Sequence, residues 1–120
     1  MSSTTQVVYE VSPEPGFAGN NGFSYAVVVV GEPTYTEMFG DSNNLTIPQD
    51  GLDTIKNVCG ELRCVVVLIS GRPLVIEPYL STMNALVAAW LPGTEGGGVA
   101  DVLFGDYDFQ GKSPRTWFKR

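Results

Sequence analysis

The 120-residue chain contains no histidine. That absence excludes Ser-His-Asp and Cys-His nucleophilic catalysis and removes the commonest metal ligand, so acid–base chemistry falls to carboxylates, tyrosine or lysine. Basic residues are scarce as well. Seven lysines and arginines stand against thirteen aspartates and glutamates, a formal net charge of −6. A nucleic-acid binder needs the opposite balance, so that class is set aside. No apolar run approaches the roughly 20 residues that a helix needs to cross a bilayer, and no membrane partner is expected. The opening Met1-Ser-Ser-Thr-Thr-Gln6 lacks the basic and apolar regions of a signal peptide, so no export address is read there. Cysteine is limited to Cys59 and Cys64. They read either as two reduced thiols or as a local disulfide, for which the intervening Gly-Glu-Leu-Arg leaves room.

What is present is ordinary for a globular chain: 43% hydrophobic and 17% charged residues. The length allows one domain or part of one. The organising stretch is Ser24-Tyr-Ala-Val-Val-Val-Val-Gly31, uncharged and ending at a glycine. It reads as a strand buried on both faces, the kind found in a parallel sheet. Beyond Gly31 come Glu32-Pro-Thr-Tyr-Thr-Glu37 and Met38-Phe-Gly-Asp41. Ligand sites in open parallel sheets lie past the carboxyl ends of the strands, which makes this loop the first place to look for chemistry.

Along the rest of the chain, Gln6–Val11 reads as a short strand. A long turn follows through Pro13, Pro15, Gly16, Gly19 and Asn20-Asn21-Gly22. Phe23–Val30 is the expected central strand. Asp50 is read as the cap of a short helix through Asn57, stopped by Gly60. Cys64–Ser70 and Ala85–Trp90 are further apolar strands, Pro78–Met83 and Val99–Phe104 are helices, and Thr116–Phe118 is an edge strand. Strands alternating with short helices imply right-handed crossovers and an α/β fold.

Several residues carry two readings. Glu32, directly past the strand, could take part in chemistry, but it reads better as a residue that bonds to loop backbone or pairs with an arginine. Arg72 could bind an anionic group or a hydroxyl, but such an arginine is more often a structural tie to a carboxylate. Glu37, flanked by Tyr35, Met38 and Phe39, has neighbours of the kind that raise a carboxyl's pKa by desolvation, as a general acid needs. On the residues alone, a solvated loop carboxylate is the stronger reading. Gly93-Thr-Glu-Gly-Gly-Gly98 lacks the Gly-x-Gly-x-x-Gly spacing and the lysine of a nucleotide loop, so it reads as a structural turn. Asn44-Leu45-Thr46 is a glycosylation sequon, meaningful only in the secretory pathway. Trp90 and Trp117 could stack on sugar rings, though Trp90 reads better as core.

Five segments form a series: Gly31-Glu-Pro-Thr-Tyr-Thr-Glu37, Leu45-Thr-Ile-Pro48, Val67-Leu-Ile-Ser-Gly-Arg-Pro73, Ala88-Ala-Trp-Leu-Pro-Gly-Thr-Glu-Gly96, and Leu103-Phe-Gly-Asp-Tyr107 with Gly111-Lys-Ser-Pro-Arg-Thr-Trp-Phe118. Together, from about Val7 to Lys119, they resemble the second domain of glycoside hydrolase family 3, closest to the plant β-D-glucan exohydrolases. The resemblance implies a six-stranded α/β sandwich that follows a barrel. The barrel supplies an aspartate nucleophile and the sandwich an acid/base glutamate. The Tyr-Thr-Glu segment puts that glutamate at Glu37, and Glu32 is not the catalytic one. The resemblance also implies a Cys59–Cys64 disulfide in an exported form, a glycan at Asn44, and secretion to the plant cell wall or apoplast. No cofactor and no metal are implied.

The barrel and the first unit of the sandwich lie outside this sequence. The expected fold is therefore a partial three-layer α/β/α sandwich with a mostly parallel sheet, one truncated domain over residues 1–120. The expected function is that of a fragment or truncated relative of a retaining exo-β-glucosidase. It carries Glu37 but not the nucleophile, is inactive alone, and acts on a β-glucan or β-glucoside only when paired with a barrel. The alternative is a non-catalytic carbohydrate-binding or protein-interaction module. Its exposed sheet edge would invite a second copy.

Overall fold

β-Branched side chains favour extended backbone, and valine-rich segments supply most of the sheet. In the computed structural model, which describes residues 2–119, three strands run parallel: β1 (Ala26–Gly31), β2 (Cys64–Ile69) and β3 (Ala85–Trp90), in spatial order β1-β2-β3. β1 and β2 are in register from Ala26 opposite Cys64 to Gly31 opposite Ile69. β2 and β3 pair evenly as far as Leu68 opposite Ala88. Ile69 then stands opposite Trp90, which leaves Ala89 as an extra residue. Such a bulge re-aims the end of a strand, and Trp90 has a φ of 56° there.

The helices are α1 (Phe17–Asn20), α2 (Gln49–Cys59) and α3 (Gly96–Leu103), with 3₁₀ turns at Glu37–Gly40 and Glu77–Thr82. Ile55 and Val58 lie three residues apart on one face of α2, which puts them side by side. They are buried against Val28 and Val30 of β1 and Cys64, Val66 and Leu68 of β2, with Ile47, Leu74 and Ile76 completing the core. Gly51 permits a close approach of helix to sheet. A Cβ there would lie 3.0 Å from Ile47 Cγ2 and 3.3 Å from Val30 Cβ. A disulfide joins Cys59, the last residue of α2, to Cys64, the first of β2, with Cα atoms 5.2 Å apart. On the other face of the sheet, Val87 and Ala89 of β3 and Val99 and Val102 of α3 line an open cleft of about 300 Å³. Helices on both faces of a parallel sheet give the expected α/β layering.

The structure differs from the sequence reading in several places. The valine strand is not central and not buried on both faces. It is an edge strand, and Val27 and Val29 are 42% and 62% exposed. β2 lies in the middle, with both Val66 and Val67 buried, because it alone has a strand on each side. Gln6–Val11 forms no strand. The Glu10 carboxylate instead accepts the N–H groups of Val11 and Ser12, at 3.0 and 3.2 Å, a local pairing that competes with a ladder. Thr116–Phe118 is not a strand either. Trp117 anchors that segment by its side chain, donating from Nε1 to the Leu74 carbonyl at 2.9 Å.

α2 begins at Gln49, and Asp50 does not cap it. Pro48 occupies the cap position, with no side-chain cap bond. Its carbonyl takes the Leu52 N–H at 3.1 Å, and its ring presets the backbone at the cost of no needed donor. The Asp50 carboxylate accepts the adjacent Gly51 N–H, in the first turn where negative charge suits the helix dipole. α1 occupies part of the expected long turn. Its free N–H groups at Gly16 and Gly19 donate to the Glu61 carboxylate, at 2.8 and 3.0 Å, so a distant residue caps it.

Candidate active site

β1 and β2 end at Gly31 and Ile69 so close together that a Cβ on Gly31 would strike the Ile69 carbonyl. Glu32 and Arg72 leave these two strand ends and meet. Arg72 Nε and Nη2 both donate to Glu32 Oε1, at 2.9 and 2.7 Å. The third guanidinium nitrogen, Nη1, donates to the Gly40 carbonyl at 2.7 Å. Glu32 is only 8% exposed and Arg72 24%, so the pair is shielded enough for charge-assisted bonds to matter. The Glu32 bond raises the Arg72 pKa above its already high ordinary value, against an opposing effect of burial.

Tyr35 lies under this pair. Its hydroxyl donates to Glu32 Oε2 at 3.1 Å and accepts the Gly71 N–H at 3.2 Å. Its ring lies 4.5 Å from the Arg72 guanidinium carbon, within the range of a cation–π contact. Burial, then the Glu32 hydrogen bond, push the Tyr35 pKa above the usual tyrosine value. A phenolate there would face a carboxylate. Ser70, itself buried, donates to the Arg72 carbonyl at 2.6 Å and steadies the turn that carries the arginine.

Glu37 begins the 3₁₀ turn beyond this cluster, with a φ of 45°. It is exposed, and its carboxylate bonds to no other described residue. Met38 and Phe39 are exposed too, Phe39 to 91%. The apolar neighbours therefore point to solvent and do not enclose the carboxyl, while Tyr35 packs against Gly40 and the Arg72 guanidinium. The two candidate glutamates are thus sorted by their surroundings. Glu32 is tied into structure, and Glu37 is open to solvent past the carboxyl end of β1. A structural role was readable for Glu32 and for Arg72 separately, but not that they pair with each other. The part played by Tyr35 and Gly40 was not readable either, because no local pattern marks an aromatic that serves both strand ends.

The remaining candidates lie elsewhere. Of Gly93–Gly98 only the first half is a turn, closed by Glu95 N–H to Pro92 at 2.9 Å; Gly96–Gly98 instead form the first turn of α3, where Gly98 N–H donates to Glu95 at 3.0 Å. Trp90 and Trp117 are half-buried and pack on each other, ring centres 5.9 Å apart and planes at 50°. Asn44 is exposed, and its side-chain oxygen accepts the N–H and hydroxyl of Thr46, at 3.1 and 2.7 Å.

The sequence pattern of the glycosyl hydrolase family 3 C-terminal domain matches residues 17–120. The chain belongs to this family. Among relatives of this family 3 domain, a periplasmic β-glucosidase of Salmonella typhimurium is 42% identical over 91 residues, covering 73% of this chain and 12% of the relative. A xylan 1,4-β-xylosidase of Xylanibacter ruminicola is 38% identical over 82 residues, covering 67% of this chain and 10% of the relative. A probable β-glucosidase A of Aspergillus terreus is 40% identical over 84 residues, with the same coverage. The crystal structure of a family 3 β-glucosidase from Bifidobacterium adolescentis superposes with a TM-score of 0.61 at 29% identity, over 68% of this chain and 13% of that one. The family 3 domain thus spans about a tenth of the length of the relatives it matches. They are bacterial and fungal, and give no support to the expected closeness to plant enzymes.

Proposed function

We propose that this family 3 domain supplies the acid/base carboxyl of a retaining exo-β-glucosidase, that the carboxyl is Glu37, and that the aspartate nucleophile comes from a barrel outside this sequence. The observation that carries the reading is the contrast at the end of β1: Glu32 has both oxygens engaged by Arg72 and Tyr35, and Glu37 is left accessible in its turn. A retaining glycosidase needs two carboxyls about 5–5.5 Å apart, one attacking the anomeric carbon and one protonating the leaving oxygen. Glu37 would serve as the second, then deprotonate the water that releases the sugar.

The test is hydrolysis of an alkyl β-glucoside. The 120-residue chain alone should be inactive. Joined to a family 3 barrel it should be active, and Glu37→Gln should then lower turnover about 10²–10⁴-fold. Full activity of the Glu37→Gln protein would refute the assignment.

A second reading, as an interaction module, is favoured by the open edge of β1. Residues Ala26–Gly31 carry no charge and no proline, the usual guards of an edge strand. On this reading two copies pair through β1, and Val29→Lys should convert a dimer to a monomer in sedimentation. A wild-type chain that is monomeric at all concentrations would refute it. The disulfide and the sequon at Asn44 fit an exported protein. A mass shift on enzymatic deglycosylation of the native protein, lost in Asn44→Gln, would support export, and an unmodified Asn44 would count against it.

A further inference from the structure

Glu37 has a left-handed backbone, φ 45°, which non-glycine residues hold only where surrounding structure imposes it. Its own carboxylate has no partner among the described residues that would do so. The constraint lies at the far end of the turn. The peptide joining Gly40 to Asp41 is held by both of its polar atoms. The Asp41 N–H donates to the Met38 carbonyl at 3.1 Å and so closes the turn, and the Gly40 carbonyl accepts Arg72 Nη1 at 2.7 Å. The Tyr35 ring fills the inside of the loop so closely that a Cβ on the buried Gly40 would collide with Tyr35 Cδ2. That ring is in turn fixed by Glu32 and Gly71 at its hydroxyl and by Arg72 over its face.

We propose that Arg72, Tyr35 and Gly40 are positioning residues for Glu37. They hold the Glu37–Gly40 turn in the conformation that presents the carboxyl beyond β1. The proposal rests on the reading of Glu37 as the acid/base, and it adds a requirement of shape. Arg72 serves Glu32 with Nε and Nη2 while reserving Nη1 for the Gly40 carbonyl. A lysine keeps the charge but has no planar fork to reach both partners in this geometry. Gly40 must lack a Cβ because the Tyr35 ring occupies its place.

Amide hydrogen exchange on the 120-residue chain tests this without catalysis. The Asp41 N–H reports the turn, and the Val66 N–H in the middle of the sheet reports global opening. In Arg72→Lys and in Gly40→Ala, Asp41 exchange should rise about tenfold or more relative to Val66. Glu37→Gln should leave it unchanged. Should Gly40→Ala fail to fold, Arg72→Lys and Tyr35→Phe, which add no atoms against the ring, carry the same comparison. Unchanged Asp41 exchange in Arg72→Lys, or a rise matched by Val66, would overturn the proposal. The catalytic reading fails separately: a Glu37→Gln protein with full activity beside a turn that loosens as expected would leave the positioning claim standing and remove the acid/base role.

Discussion

Glu32 and Glu37 leave the same strand within one short loop. Glu32 is 8% exposed, with one oxygen bonded to Arg72 and the other to Tyr35. Glu37 is exposed, bonds to no other described residue, and sits on a left-handed backbone. The two residues have the same chemistry and differ only in what the fold brings to them. The arginine that engages Glu32 comes from the end of β2, 40 residues further along the chain. A carboxylate held in this way is a poor proton donor. Its charge is needed by the guanidinium, and both of its oxygens are occupied. The free carboxylate is the one open to solvent, and the bound one ties down the loop that carries it.

The comparison predicts opposite results from substitutions at the two ends of the loop. The largest effect on stability should come from Arg72→Ala. It leaves the nearly buried Glu32 unpaired and should cost about 2–3 kcal/mol in urea unfolding, below the range for a fully buried pair because Arg72 is partly exposed. A loss under about 0.5 kcal/mol would mean that Glu32 is as free as Glu37.

Tyr35→Phe should cost less, about 1 kcal/mol, since it removes one hydroxyl bonded to Glu32 and Gly71. The same hydroxyl gives a dependence on pH. Its folded pKa is raised above the ordinary 10.0. The stability it contributes is therefore present below about pH 10 and is lost as pH rises through the folded value. Ultraviolet titration should show a component that ionises above the ordinary tyrosine value and is absent in Tyr35→Phe. A late-ionising component that survives the substitution would remove Tyr35 from the Glu32 side of the comparison. Glu37→Gln should have the smallest effect, within about 0.5 kcal/mol, because no described group bonds to the carboxylate. A loss above about 1 kcal/mol would show a structural role that its exposure does not suggest.

Much of this arrangement was legible in the sequence where the signal is local or the options are few. Cys64–Ile69 and Ala85–Trp90 are compact apolar runs that form strands as read, although only the middle strand β2 is well buried and β3 is at most half-buried. Arg72 was legible as a structural tie to some carboxylate, though not to Glu32 in particular. What escaped was set by distant partners. α1 exists because Glu61 caps it from beyond α2. Gln6–Val11 has the composition of a strand, but composition does not supply a ladder. The four valines of β1 pointed to burial on both faces, yet burial depends on whether another layer or strand lies alongside, which the run itself does not encode. At the site, the sequence held the glutamates and the arginine but not the tyrosine and glycine that lock the turn. An aromatic under a guanidinium and a glycine under an aromatic are relations of the folded chain.

The central claim, that Glu37 and not Glu32 transfers the proton, is tested most directly by azide rescue. With the domain joined to a family 3 barrel, Glu37→Ala should retain turnover of an activated aryl β-glucoside only slowly, because water then attacks the glycosyl–enzyme intermediate without a base. Azide needs no deprotonation, so adding it should restore the rate and yield the β-glucosyl azide. Glu32→Ala should show no such product. Azide product from Glu32→Ala, or none from a folded Glu37→Ala, would contradict the account.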